Sequence, residues 1–236
     1  DPRPGDRIVE IGPGQGALTA PLIARAGHVV AIELDRDLCA ALTSRFPPER
    51  LSLHSGDALA FDFSTLGGDL RIVGNLPYNV STPLLFHLST FATSCRDMHF
   101  MLQLEVVERM VAGPSEPAYG RLSVMLQDRF DMAQVLHVPP ESFRPVPKVE
   151  SAVVRMRPLG ETQRRERGCA NDPARFAAIV TRAFTMRRKT LRNALQGTVE
   201  PEALESLGID PGLRPENLST AQYAAIANHC AAGRTA

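Results

Sequence analysis

Asn75 stands at the end of an apolar run, LRIV at residues 70 to 73 and then Gly74, and is followed by Leu76, Pro77 and Tyr78. The Asn75 side-chain oxygen and the Leu76 carbonyl offer two neighbouring acceptors. Pro77 fixes the local dihedral and removes a competing N–H, and Tyr78 offers a ring face. Such a set fits an adenine taken out of its stack. The exocyclic amine of adenine is a poor nucleophile, because its lone pair is delocalised into the ring. Acceptors aimed at its two hydrogens localise that pair, and they act most strongly as positive charge develops on nitrogen in the transition state. No charged general base is required, since the methylated amine is acidic enough to lose its proton to water.

A second group of residues suits a nucleotide-like cofactor. RIVEI (7 to 11) runs into Gly12, Gly14 and Gly16, which lets the backbone approach a ligand at the carboxyl edge of a sheet. Alone this loop is ambiguous, because Gly12-x-Gly14-x-x-Ala17 also satisfies the relaxed dinucleotide fingerprint. Glu33 ends the next strand signal and can accept from two ribose hydroxyls, a role common to enzymes of NAD and of S-adenosylmethionine (SAM). Asp57, in SGDAL, can accept from an adenine amine while Ala58 lines the ring. The Asn75 stretch separates the two cofactors, since a nicotinamide enzyme has no use for it.

The elements that must position these residues alternate. Strand signals at 7–11, 28–34, 51–54, 70–75 and 98–103 are interleaved with helical spacing at 17–26, 36–46, after Thr82, and at 105–111. This pattern predicts an α/β fold with a doubly wound, Rossmann-like parallel sheet. FDMAQVLHV (130–138) and SAVVRMR (151–157) read as a final antiparallel pair. After Gly160 the strand signal stops: ETQRRERGCAND reads as a polar linker, and the rest as a small all-helical domain, giving expected domains of 1–160 and 161–236. Asp172 with Pro173 is expected to cap one helix, and Ser219 the last.

At 236 residues, 44% hydrophobic and 22% charged, the chain can bury one full core plus an appendage. Its apolar runs are far shorter than a membrane span, and no charged region leading into an apolar stretch opens it, so the expectation is a cytoplasmic protein without membrane contact. Cys39, Cys95, Cys169 and Cys230 form no CxxC pair and the six histidines show no ligand spacing, so no metal is expected. The net charge of zero hides an asymmetry: between Arg144 and Arg192 there are thirteen Arg or Lys against four acids. That surplus is the footprint of a phosphate-backbone binder. Along the helix from Phe176 the apolar stripe continues through Val180 and Ala183 to Leu191 and Ala194, which would bury Arg187. A buried unpaired guanidinium is too costly, so a break is expected between Thr185 and Arg187, turning Arg187, Arg188 and Lys189 outward.

The segments VEIGPGQGALT, AIELDRDL, GDAL, GNLPYNVSTPLLFHL, HFMLQLEVVERMVAGP, YGRLSVMLQ, FRPVPKVESAVVR and AFTMRRKTLRNAL, in that order, resemble the KsgA family of small-subunit ribosomal RNA adenine dimethyltransferases. The resemblance runs from about Arg7 to the end. It implies a class I SAM-dependent methyltransferase that dimethylates two adjacent adenosines in the 3′-terminal hairpin of 16S rRNA during small-subunit biogenesis, with the 30S subunit or its precursor as partner. It implies SAM contacts from Glu10, Gly12, Gly14, Glu33, Leu34, Asp57, Ala58 and Asn75. Catalysis would rest on Asn75, Leu76 and Pro77, with Tyr78 and Phe143 sandwiching the target base. RNA would be held by Lys148, Arg187, Arg188, Lys189 and Arg192. The family also carries a segment ahead of the first strand, with an FGQNFL-like motif that contacts the cofactor and has no counterpart in these residues. Two other readings share the fold: an adenine dimethyltransferase of large-subunit RNA that confers antibiotic resistance, and a non-catalytic RNA-binding assembly factor. RRKTLRNAL and YGRLSVMLQ favour the small-subunit group over the first, and the intact Asn75 platform argues against the second.

Overall fold

Short runs rich in aliphatic residues supply the strands. In the computed structural model, which describes residues 1–77, 80–144 and 146–232, these are β1 (Arg7–Ile11), β2 (Val29–Glu33), β3 (Leu51–Ser55), β4 (Leu70–Asn75), β5 (Cys95–Gln103), β6 (Phe130–Val138) and β7 (Ser151–Pro158). They form one sheet in the order β3-β2-β1-β4-β5-β7-β6. The pairs among β1 to β5 are parallel, and β7 runs antiparallel to β5. β1 and β2 bury nearly every residue, as parallel strands covered on both faces do. The order reverses between β1 and β4, which opens a crevice at their carboxyl ends.

The chain divides into two compact units, residues 1–107 with 132–158, and residues 108–131 with 159–236. In the first, α1 (Thr19–Ala26) and α2 (Arg36–Arg45) follow β1 and β2, while α3 (Ser81–Ser89) and the start of α4 (Leu104–Val111) follow β4 and β5. Leu22, Ala26 and Leu42 from α1 and α2 pack with Ile8, Val29, Ala31 and Leu51 in one cluster. Asp35 caps α2 by accepting from the N–H groups of Asp37 and Leu38.

The second unit is helical: the end of α4, then α5 (Arg121–Gln127), α6 (Glu161–Glu166), α7 (Pro173–Thr185), α8 (Leu191–Ala194), α9 (Pro201–Ser206) and α10 (Thr220–Ala232). Its composition departs from a boundary at residue 160. Tyr119 and Val124 share a core with Phe176, Val180, Leu191 and Tyr223, and the Tyr119 hydroxyl donates to the Leu218 carbonyl across 2.8 Å. The expected linker is also different, since Glu161–Glu166 is helical. Arg164 pins it by donating to the carbonyls of Asp128 and Ala170, each at 2.8 Å.

Both expected caps are present. Asp172 Oδ1 accepts from Ala174 N and Arg175 N, each at 3.0 Å, and Ser219 exchanges hydrogen bonds with Gln222. α7 ends at Thr185, so the chain turns before Arg187, and Arg187, Arg188 and Lys189 are exposed. Phe176, Val180, Ala183, Leu191 and Ala194 are buried, as the stripe requires. Among the described residues no helix is long and apolar enough to cross a membrane.

Candidate active site

The loop after β1 holds Gly12 at φ +65° and Gly14 at φ +56°, a region that strains any L side chain. A Cβ added at either would meet nothing within 4 Å, so open space lies beside the loop. Gly12 N donates to Ile32 O at 3.0 Å, tying the loop to β2. Glu33, at the end of β2, accepts from Gly14 N at 3.1 Å through Oε2 and from Asp35 N at 3.0 Å through Oε1. It is a buried acid woven into the loop rather than a solvated strand end. Leu34, beside it, leaves 68% of its surface exposed.

Glu10 lies beneath the loop with 2% of its surface exposed, and the Thr19 hydroxyl donates to its Oε2 at 2.6 Å. Burial pushes its carboxyl up to about 7; the Thr19 hydrogen bond opposes this, and the charge of Glu33 adds to it. Past β3, Gly56 N donates to Glu33 O at 2.8 Å and so ties the next turn to the same edge. There Asp57 is exposed, with Oδ1 accepting from Leu59 N at 2.8 Å, and Ala58 is half-buried.

Register brings Asn75 to the same edge. Gly74 pairs with Ile11, so Asn75 and Gly12 are the next residues along neighbouring strands. Asn75 is exposed, Leu76 is buried, and Leu76 N donates to Met101 O at 3.2 Å. Pro77 is exposed and its carbonyl accepts from Val80 N at 3.3 Å. Tyr78 lies outside the described residues. Phe143 is half-buried on the β6–β7 connection, its N–H donating to Pro140 O at 3.1 Å, and Lys148 is exposed further along. β7 starts opposite the end of β5, with Ser151 paired to Gln103, so this connection meets the sheet at the edge that carries Asn75.

The remaining cations belong to the helical unit. Arg188, Lys189 and Arg192 are exposed and make no ion pair among the described residues, whereas Arg187 lies 3.6 Å from Glu216. The α6 region differs: Arg164 faces Asp128 at 3.8 Å, Arg165 faces Glu161 at 3.3 Å, and Arg167 faces Asp131 at 2.9 Å. Part of the basic surplus is therefore neutralised where it stands.

Sequence reasoning missed two residues that shape this edge. A Cβ on Gly74 would lie 2.6 Å from the Ile11 carbonyl oxygen, so only glycine lets β1 and β4 come this close. A glycine inside a strand signal was the available clue. Arg45, on α2, donates to Gln15 O at 2.7 Å and lies 5.0 Å over the Phe46 ring, holding the glycine loop from outside. No motif marks it.

Residues 1–232 match the family model described as ribosomal RNA adenine dimethylase. The chain belongs to this family. The dimethylase chain is 60% identical over 230 residues to the ribosomal RNA small subunit methyltransferase A of Thiobacillus denitrificans, covering 98% of itself and 89% of that protein. It is 58% identical over 231 residues to the protein of the same name from Aromatoleum aromaticum, covering 98% and 86%. Among solved structures, a dimethyladenosine transferase from Plasmodium falciparum is similar with a TM-score of 0.81 at 25% identity, over 95% of this chain and 90% of that one. The 23S rRNA methyltransferase ErmE shares the fold, with a TM-score of 0.72 at 24% identity over 98% and 93%. The dimethylase fold is thus the SAM-dependent methyltransferase sheet with a helical unit, and the enzyme is a SAM-dependent RNA methyltransferase.

Proposed function

We propose that this enzyme transfers methyl groups to the exocyclic amines of two adjacent adenosines in the 3′-terminal hairpin of small-subunit rRNA, acting in the cytoplasm on the 30S subunit or its precursor. The observation that carries the reading is the placement of Asn75 beside Gly12, at the crevice where the sheet order reverses. Family membership and the names of the similar curated proteins support the RNA class.

The edge fits SAM. Open space beside Gly12 and Gly14 suits the methionine end above Glu10, Glu33 offers acceptors to the ribose hydroxyls, and Asp57 offers one to the adenine amine. Leu34, an exposed aliphatic side chain at this edge, and Ala58 would cover the adenine ring. When bound, SAM supplies an electrophilic methyl group. The chain's own part is positioning and charge stabilisation. The Asn75 side-chain oxygen and the Leu76 carbonyl accept hydrogen bonds from the two N–H groups of the target amine, so its lone pair is directed at the methyl carbon as positive charge grows on nitrogen. The buried Leu76 side chain and the hydrogen bond that the Leu76 backbone N–H donates to Met101 O hold that carbonyl in place. Tyr78 and Phe143 clasp the base, and the product amine releases its proton to water. Lys148, Arg188, Lys189 and Arg192 supply phosphate contacts, with Arg187 at the head of the same turn. Labelled methyl transfer from SAM to purified small subunits lacking the modification, with nucleotide mapping, tests this. Label on two neighbouring adenosines of that hairpin is expected, and an unlabelled hairpin, with label entering large-subunit RNA in a parallel reaction, would refute it.

A further inference from the structure

Glu216 carries the one buried side-chain oxygen among the described residues that makes no hydrogen bond, Oε2. Arg187 Nε stands 3.6 Å from it, near enough for ion pairing and too far for a hydrogen bond. A carboxylate oxygen sealed from water in this way is tolerable only beside a cation. Arg187 is held from a second side as well, donating through Nη2 to Pro117 O at 3.3 Å. The Arg187 side chain is 46% exposed, but its Nε and Nη2 both face protein partners.

The other end of the basic turn rests on the same stretch of chain as Glu216. Leu191 N donates to Leu213 O at 2.7 Å and Arg192 N to Pro211 O at 3.0 Å. Within the turn, Lys189 N donates to Met186 O at 2.8 Å. Residues 211 to 216 therefore brace both ends of the turn. The stretch is itself anchored, since Glu216 O accepts from Ser115 N at 2.8 Å and Pro215 O from the Tyr223 hydroxyl at 2.9 Å. Ser115 takes φ +69° to make this contact, a conformation uncommon outside glycine and Asn or Asp.

We infer that Glu216 is a positioning residue for RNA: its carboxylate holds Arg187 as an inward strut, and the strut aims Arg188 and Lys189 at the phosphate backbone. This rests on the reading of the turn as an RNA contact, and it removes Arg187 from the residues that touch RNA directly. It also reverses the simplest electrostatic expectation. Deleting an acid beside a basic turn should strengthen RNA binding by charge alone. Deleting a strut should weaken it.

The test uses the full chain and a labelled RNA hairpin, with affinity measured across a salt series. Glu216→Gln keeps the size and removes the charge; it should bind RNA roughly three- to tenfold more weakly, the range expected for one lost polar contact, with SAM affinity unchanged. Arg187→Gln should show the same loss and no change in salt slope, and combining the two should add little. Arg188→Ala should lower the slope by about one unit. Tighter or unchanged RNA binding by Glu216→Gln beside an impaired Arg188→Ala would overturn the role of Glu216 alone. A slope lowered by about one in Arg187→Gln would also overturn it, because Arg187 would then be a phosphate ligand, and this holds even if Glu216→Gln fails to fold. A silent Arg188→Ala would remove the RNA reading of the turn and the strut with it.

Discussion

The backbone N–H of Gly14 donates to Glu33 Oε2 across 3.1 Å, so the acid that offers acceptors to a ribose also braces the loop before it. Glu33→Ala should therefore weaken SAM binding at the upper end of the range for one unpaired donor, about 5- to 150-fold. Asp57 braces only its own turn through Leu59 N, and Asp57→Ala should fall lower in that range. Calorimetry with SAM measures both. An unchanged affinity for Glu33→Ala would remove the ribose assignment, and NADH should not bind the parent.

Glu10 should make stability depend on pH. Its carboxyl is raised from 4.5 to about 7, mainly by burial, so between those values the folded state holds more protons than the unfolded one. The contribution of Glu10 is fully present below about pH 4.5 and is lost as pH rises through about 7. Glu10→Gln stays neutral and can keep a hydrogen bond to Thr19. It should be more stable than the parent above pH 7, by on the order of 3 kcal/mol, with the gap closing toward pH 4.5. Melting curves across that range test it, and equal melting at pH 8 would mean that Glu10 ionises without penalty.

Gly74 should resist even the smallest substitution. In Gly74→Ala the new methyl would sit 2.6 Å from the Ile11 carbonyl oxygen, forcing β1 and β4 apart where Gly12 and Asn75 leave the sheet. A loss of roughly 1–3 kcal/mol is expected, as for other overpacked sites, together with weaker SAM binding. Gly68→Ala, where an added Cβ meets nothing within 4 Å, is the control and should be close to neutral. Chemical denaturation distinguishes the two, and equal stability would contradict the close approach.

The parallel strands were legible because burial on both faces demands continuous apolar runs, and RIVEI and VVAIE supply them. The break after Thr185 was legible for a sharper reason, since one arginine interrupts a stripe that is otherwise apolar. What escaped depends on partners far along the chain. Tyr119 joins the helical unit through Leu218, 99 residues away, and no local pattern announces that. ETQRRE has no apolar stripe, and its helix is pinned by Arg164 to the carbonyls of Asp128 and Ala170. The count of basic residues was right, yet it could not tell Arg165, facing Glu161, from Arg188, which makes no ion pair among the described residues.

The central claim is that Asn75 acts on the developing charge of the amine, and single-turnover methyl transfer tests it most directly. Asn75→Ala should be measured with saturating RNA and SAM, after its affinity for each has been determined separately. The rate should fall about 100- to 1,000-fold, the usual loss when one preorganised transition-state contact is deleted, while RNA affinity stays near the parental value. An Asn75→Ala protein that binds both ligands and transfers methyl at the parental rate would contradict the account, leaving the stretch from Asn75 to Tyr78 a scaffold and nothing more.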